Sequence, residues 1–207
     1  VVNTLDKTIN GKDNANYPPS ANNASKTALT WRKYLDEQYA NGIWNTNACP
    51  IVIRYAEVLL TYAEAVNELS GPSADVYDKL DLIRGRVGMP KVDREKYASK
   101  ETLRRLIRRE RGVELAGEGV RRADILRWKD DNGKMVAETV LNGVLERVVG
   151  TVNYAETDPT KRAEIDTNAP ATDKKIEDRV FKVHNRYNPI PQGAIDNNPN
   201  LEQNPGY

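Results

Sequence analysis

The chain has 207 residues, enough for a single domain or a bipartite fold, with 39% hydrophobic and 29% charged residues. Lysine and arginine total 31 against 30 aspartates and glutamates, a net charge of +1, so no long-range field draws in nucleic acid or a membrane surface. One cysteine, Cys49, excludes an internal disulfide or a multi-cysteine metal site, and one histidine, His184, is a thin basis for a Ser-His-Asp triad or a histidine-rich metal centre.

No apolar run approaches the roughly 20 residues of a membrane span; residues 58–60 and 145–149 are far shorter. The mean hydropathy of −0.71 fits a wet surface with long polar loops. The opening VVNTLDK has no Met and neither the basic nor the apolar region of a signal peptide. It reads as a mature fragment or a domain cut from something longer.

Residues 1–50 are rich in Asn, Thr, Ser, Gly and Pro, with scattered aromatics, and read mostly as loop. TALTWRKYL, residues 27–35, is a candidate short strand. From Ile51 the pattern changes. Tyr55, Val58, Leu59, Tyr62, Ala63 and Val66 recur at helical spacing up to Gly71-Pro72. Ser73 reads as the N-cap of a second helix with Val76, Leu80 and Ile83 on its apolar face, stopped by Gly88-Met89-Pro90. So short a link makes the two helices antiparallel neighbours, an αα-hairpin of tetratricopeptide-like type, although no 34-residue repeat is evident. A third helix is expected over about 100–116, interrupted by Gly117 and Gly119, and a short fourth over 121–129.

After Asp130-Asp131-Asn132-Gly133 the pattern turns irregular. VLERVVGTVNY has the β-branched character of a strand or hairpin. Residues 155–178 read as an exposed excursion, Phe181 and Val183 as a short strand, and the proline-rich end as an extended tail. The expected fold is mainly α: tetratricopeptide-like helical hairpins with long irregular loops and a few short strands. It divides into a loop-rich segment 1–50, a helical core 51–130, and an excursion and tail 131–207, one domain overall.

The stretch 108–128, RERGVELAGEGVRRADILRW after Arg108, places carboxylates where a helix needs apolar groups. The stripe Leu103, Leu106, Ile107 continues through Glu110 to Val113, and Glu114 and Glu118 follow at i+4 steps. A buried carboxylate needs an ionic partner, and Arg111, Arg121, Arg122 and Arg127 stand nearby. Two carboxylates can also serve as acid and base in glycoside hydrolysis. Surrounding arginines hold them ionised, however, the wrong direction for a general acid. The favoured reading is a structural ionic clasp of Glu110, Glu114, Glu118, Arg111, Arg121, Asp124 and Arg127. The arginine run 104–111 reads as a salt-bridged helix face. Glu57, Glu64 and Glu68 read as the polar side of the first helix, His184 as a surface residue and Trp128 as core.

Trp31, Trp44, Tyr17 and Tyr39 lie on Asn-rich loops, where aromatic faces stack on sugar rings and amides bind hydroxyls. They are the candidate ligand-binding residues; the competing reading is that they anchor the loops to the helices. No residue pattern calls for a cofactor or a metal.

Four blocks carry a family resemblance: RYAEVLLTYAEAVNEL (54–69), LDLIRGRVGMP (80–90), IRRERGVELAGEGVRRADILRW (107–128) and YNPIPQGAIDNNPNLEQNPGY (187–207). In this order they resemble the C-terminal half of the SusD/RagB family of outer-membrane nutrient-binding lipoproteins. The resemblance implies a helical scaffold lipid-anchored at the bacterial cell surface. There it captures oligosaccharides or polysaccharides, or in some branches peptides, for a SusC-like TonB-dependent transporter, without catalysis. The family's lipidated cysteine has no counterpart here, Cys49 being internal, and none of the four blocks is a binding motif. A helical module that docks on the transporter is the alternative function; a carbohydrate-active enzyme built on Glu110 and Glu114 is disfavoured.

Overall fold

Between Arg54 and Gly71 the chain forms α1 (Tyr55–Ser70). It ends where Gly71 takes φ +81°, a left-handed turn that glycine adopts without a Cβ penalty, and the Gly71 N–H donates to the Asn67 carbonyl at 3.0 Å. α2 (Ala74–Arg86) starts at Ser73, whose hydroxyl accepts the Val76 N–H at 3.3 Å. α3 (Lys100–Glu114) begins with a capping box in which Ser99 and Thr102 exchange backbone N–H to side-chain bonds of 3.2 Å. α4 (Arg121–Arg127) follows the two glycines Gly117 and Gly119, both at positive φ.

The computed structural model describes residues 3–18, 24–31, 33–34, 49–158 and 160–207. They fall into two compact units, Lys33–Asp124 and Val1–Arg32 with Ile125–Tyr207.

In the helical unit α1 packs on both α2 and α3. Leu60 and Ala63 of α1, Val76 and Leu80 of α2 and Leu103 of α3 are fully buried, with Ile107 and Leu115 at 1% exposure. Each large side chain so buried contributes about 1.5–3 kcal/mol of hydrophobic stabilisation. Two expected faces are corrected. α1 buries Leu59, Leu60, Ala63 and Asn67 and leaves Tyr55, Val58 and Tyr62 exposed, because the helix is apolar on two sides and periodicity does not say which faces this core. On α3, Val113 is 75% exposed, and Arg111 and Leu115 continue the buried line instead.

The other unit holds short strands. β1 (Thr8–Ile9) and β2 (Lys12–Asp13) pair antiparallel around Asn10-Gly11, both at positive φ, inside a region expected to be loop. An Asn-Gly pair between strands is a strong hairpin signal. The candidate strand TALTWRKYL is no strand in its described residues. Ala28 sits at φ +61°, buried, with its carbonyl accepting the Thr4 hydroxyl at 2.6 Å.

α5 (Val136–Val140) precedes β3 (Gly143–Glu146) and β4 (Gly150–Val152). The last two do not form a hairpin with each other. β4 pairs antiparallel with β5 (Ala163–Ile165); α6 (Ala171–Lys174) follows, and β3 pairs antiparallel with β6 (Lys175–Arg179). The expected excursion over 155–178 therefore supplies the partners of both strands while remaining mostly exposed. Ile125, Met135 and Ala137 make this unit's small core, with Phe181 packed against it. Val183 opens a 3-10 turn, Val183–Arg186, not a strand. The tail is not wholly extended either, since Pro191 starts α7 (Gln192–Asn197). The architecture is mainly α, with a tetratricopeptide-like hairpin, long loops and short strands, as expected from the sequence.

Candidate functional site

The carboxylates of 108–128 are engaged by cations from distant stretches of the chain. Glu110 pairs with Arg84 of α2, both side chains about one-tenth exposed, and Arg84 Nε donates to the Pro90 carbonyl at 2.7 Å. Glu114 receives Arg54 Nη1 at 2.5 Å and Arg86 Nη2 at 2.8 Å. Glu118, 3% exposed, receives Arg54 through Nε and Nη2 at 2.8 Å each, together with Lys33. Lys33 Nζ also donates to the carbonyls of Glu114 and Ala116 at 3.0 Å, satisfying the C-terminal end of α3.

Arg111 forms the innermost pair. Its Nε donates to Asp124 Oδ2 at 2.7 Å and its Nη1 to the Thr61 hydroxyl at 3.0 Å, with Glu57 at 3.8 Å. Arg121 rests against Gly112, where a Cβ would stand 3.2 Å from its Nη1. Arg127 lies over the buried Trp128 ring at 5.2 Å, a cation–π contact. Arg54, Arg84, Arg86 and Lys33 were not singled out in the sequence. Arg84 carried a readable signal: it continues the line Val76, Leu80, Ile83, as Glu110 continues the apolar line of α3.

These contacts set the electrostatics. The Arg54 hydrogen bond is the largest influence on the Glu118 carboxyl and holds it below its ordinary range, while the Glu118 bond raises the Arg54 guanidinium in turn. On α1 and α3, the Arg104 hydrogen bond lowers Glu68 in the same way. A carboxylate held ionised by guanidinium groups is a poor proton donor. The cluster binds the turn after α3 to the start of α1 and the end of α2.

Of the aromatic candidates, Trp31 is 65% exposed beside Leu29 at 63%. Tyr17 is half-buried. Trp44 and Tyr39 lie outside the described residues. Tyr154, not singled out in the sequence, is 61% exposed, and its hydroxyl accepts the Asn3 side-chain amide at 2.6 Å. Its signal was an aromatic inside the turn Asn153-Tyr154-Ala155. His184 packs edge-on against Tyr207 with centroids 4.9 Å apart. Among the described residues no group of His, Cys, Asp and Glu could hold a metal, and no helix is long and apolar enough to cross a membrane.

The fold is mostly helical, with exposed loop aromatics and salt-locked carboxylates. The SusD family matches the whole chain, residues 1–207. The chain belongs to the SusD family, whose members are non-catalytic binding proteins. It is similar to SusD-like protein P25 of Formosa agariphila, with 40% identity over 79 residues, covering 38% of this chain and 15% of that protein. It is also similar to the crystal structure of a SusD-like protein from Bacteroides fragilis, at 27% identity and a TM-score of 0.57, covering 76% of this chain and 26% of that one. These 207 residues thus span about a quarter or less of the length of such relatives.

Proposed function

We propose that the chain belongs to the capture subunit of a SusC/SusD-type nutrient uptake system. It binds oligosaccharides at the bacterial surface and releases them unaltered to a SusC-like TonB-dependent transporter, and the full protein is held at the outer membrane by lipid. The observation that carries the glycan reading is Trp31, an indole left 65% exposed on an Asn-rich loop. Exposing so large an apolar ring costs hydrophobic stabilisation that the fold does not recover. A sugar ring, with an apolar C–H face and hydroxyl edges, fits such a platform. The exposed Tyr154 beside Asn3 and Asn153 supplies a second surface of the same chemistry.

A glycan array, with each hit titrated calorimetrically and its products examined for new reducing ends, tests the reading. Saturable binding without cleavage is the expected result. Binding to no glycan, or cleavage abolished by Glu110→Gln in a folded variant, would overturn it. Co-purification with a TonB-dependent transporter tests the assigned partner.

A further inference from the structure

Asn10, Asn41, Asn132 and Asn142 each precede a glycine. A glycine in that position leaves its backbone nitrogen unshielded, because no Cβ hinders its approach to the side-chain amide before it. Asn41-Gly42 lies outside the described residues. The other three pairs share one local chemistry but are held very differently.

Asn142 is locked through its side chain. Its Nδ2 donates to the Glu138 carbonyl at 2.7 Å and to the Phe181 carbonyl at 3.2 Å, and its Oδ1 accepts the Phe181 N–H at 2.6 Å. Phe181 packs against the small core of its unit, so these bonds open only when that packing opens. Asn132 is held at the backbone instead. Its N–H donates to Asp130 Oδ1 at 2.9 Å, and the Gly133 N–H donates to the Asp130 carbonyl at 3.0 Å, inside a turn closed by the Lys129–Met135 bridge.

Asn10-Gly11 has neither restraint. Both residues are exposed, at φ +51° and +75°, and among the described residues no hydrogen bond engages the Asn10 side chain or the Gly11 N–H. The flanking strands β1 and β2 are two residues each, a ladder that opens at little cost.

We infer that Asn10-Gly11 is a site of spontaneous self-modification, at which the chain turns asparagine into aspartate and isoaspartate through a cyclic imide. Solvent hydroxide takes the proton of the Gly11 backbone nitrogen, and that nitrogen attacks Asn10 Cγ. The new N–Cγ bond closes the imide ring. The Cγ–Nδ2 bond breaks, and the side-chain nitrogen leaves as ammonia with a proton from water. A second water then opens the ring. Cleavage of the N–Cγ bond gives aspartate; cleavage of the bond from that nitrogen to the Asn10 backbone carbonyl carbon gives isoaspartate. Nothing is oxidised or reduced, and a neutral amide becomes a carboxylate. Aspartate keeps the turn, since it tolerates positive φ as asparagine does. Isoaspartate runs the backbone through the side chain, which lengthens the turn by a methylene and breaks the Ile9–Lys12 register.

The test ages the folded protein at mildly alkaline pH and follows each Asn-Gly peptide by mass spectrometry. Isoaspartate is counted separately by methyl transfer from S-adenosylmethionine with an isoaspartyl methyltransferase. Asn10 is expected to convert at least about tenfold faster than Asn142, with Asn132 between them, the spread that local structural protection imposes. In denaturant that protection is gone, and the three rates fall within about threefold of one another. Equal rates at Asn10 and Asn142 in the folded protein overturn the inference. So does an Asn10 that survives ageing in the folded protein while it converts in denaturant.

Discussion

Arg111 and Asp124 form an ion pair of 2.7 Å in which the two side chains are only 6% and 3% exposed. The pair joins α3 to α4, and Thr61 brings α1 to the same guanidinium. Removing one partner of a buried pair strands the other charge without solvent, at a cost of about 3–5 kcal/mol. Asp124→Ala should therefore lower Tm by roughly 10 °C, on the scale for a domain of this size. The double variant Arg111→Met/Asp124→Leu, which removes both charges, should recover much of that loss. A single variant as stable as wild type would show that the pair is not sealed from water.

Glu118 gives the clasp a pH dependence of definite sign. The Arg54 hydrogen bond lowers its carboxyl pKa in the folded protein, and Lys33 adds to the effect, so its unfolded-state value, about 4.3, is the higher of the two. The group then contributes stability that is complete above the unfolded value and is lost as pH falls through the folded one. Melting temperatures measured from pH 7 down to pH 3 should be flat at first and fall below about pH 4.5. Glu118→Gln should start lower and fall less steeply across the same range. Parallel curves for the two proteins would mean that Glu118 has no such role.

The C-terminal tail is held by a different kind of bond. Gln203 brackets Ile190, accepting its N–H at 2.8 Å and donating to its carbonyl at 3.0 Å, and the Tyr207 hydroxyl donates to the Tyr187 carbonyl at 2.9 Å. Neutral hydrogen bonds of this type contribute about 1 kcal/mol each. Gln203→Ala should change global stability little while raising amide exchange at Ile190 and nearby tail residues by about tenfold. Unchanged exchange there would show that the tail is fixed by other contacts.

The helical scaffold was legible because its signals are local. Ser73 is the cap of α2 as its position before Val76 suggests, and Gly71 ends α1 through its own backbone. The partners in the clasp were not legible. Arg111, Arg121 and Arg127 stand close to the glutamates in sequence, yet Arg54, Arg84, Arg86 and Lys33 reach those carboxylates, because the packing of α1 on α2 and α3, not chain distance, decides which charges meet. Strand pairing failed for the same reason. Gly143 meets Arg179 and Gly150 meets Ile165, and no local pattern in VLERVVGTVNY encodes partners so far along the chain. Asn10-Gly11 was the reverse case, a local hairpin signal hidden in a stretch whose composition reads as loop.

The exposure of Trp31 is the observation on which the proposed glycan capture rests. The decisive measurement is calorimetric titration of wild-type protein and Trp31→Ala with a glycan selected on the array, alongside their melting temperatures. Stacking on an aromatic ring of this kind is worth about 1–3 kcal/mol when desolvated. Trp31→Ala should weaken binding by about tenfold or more while leaving Tm unchanged, since the indole supports no core. Equal affinity of the two proteins for the same glycan, with both folded, would contradict the assignment of Trp31 as the platform on which the sugar rests.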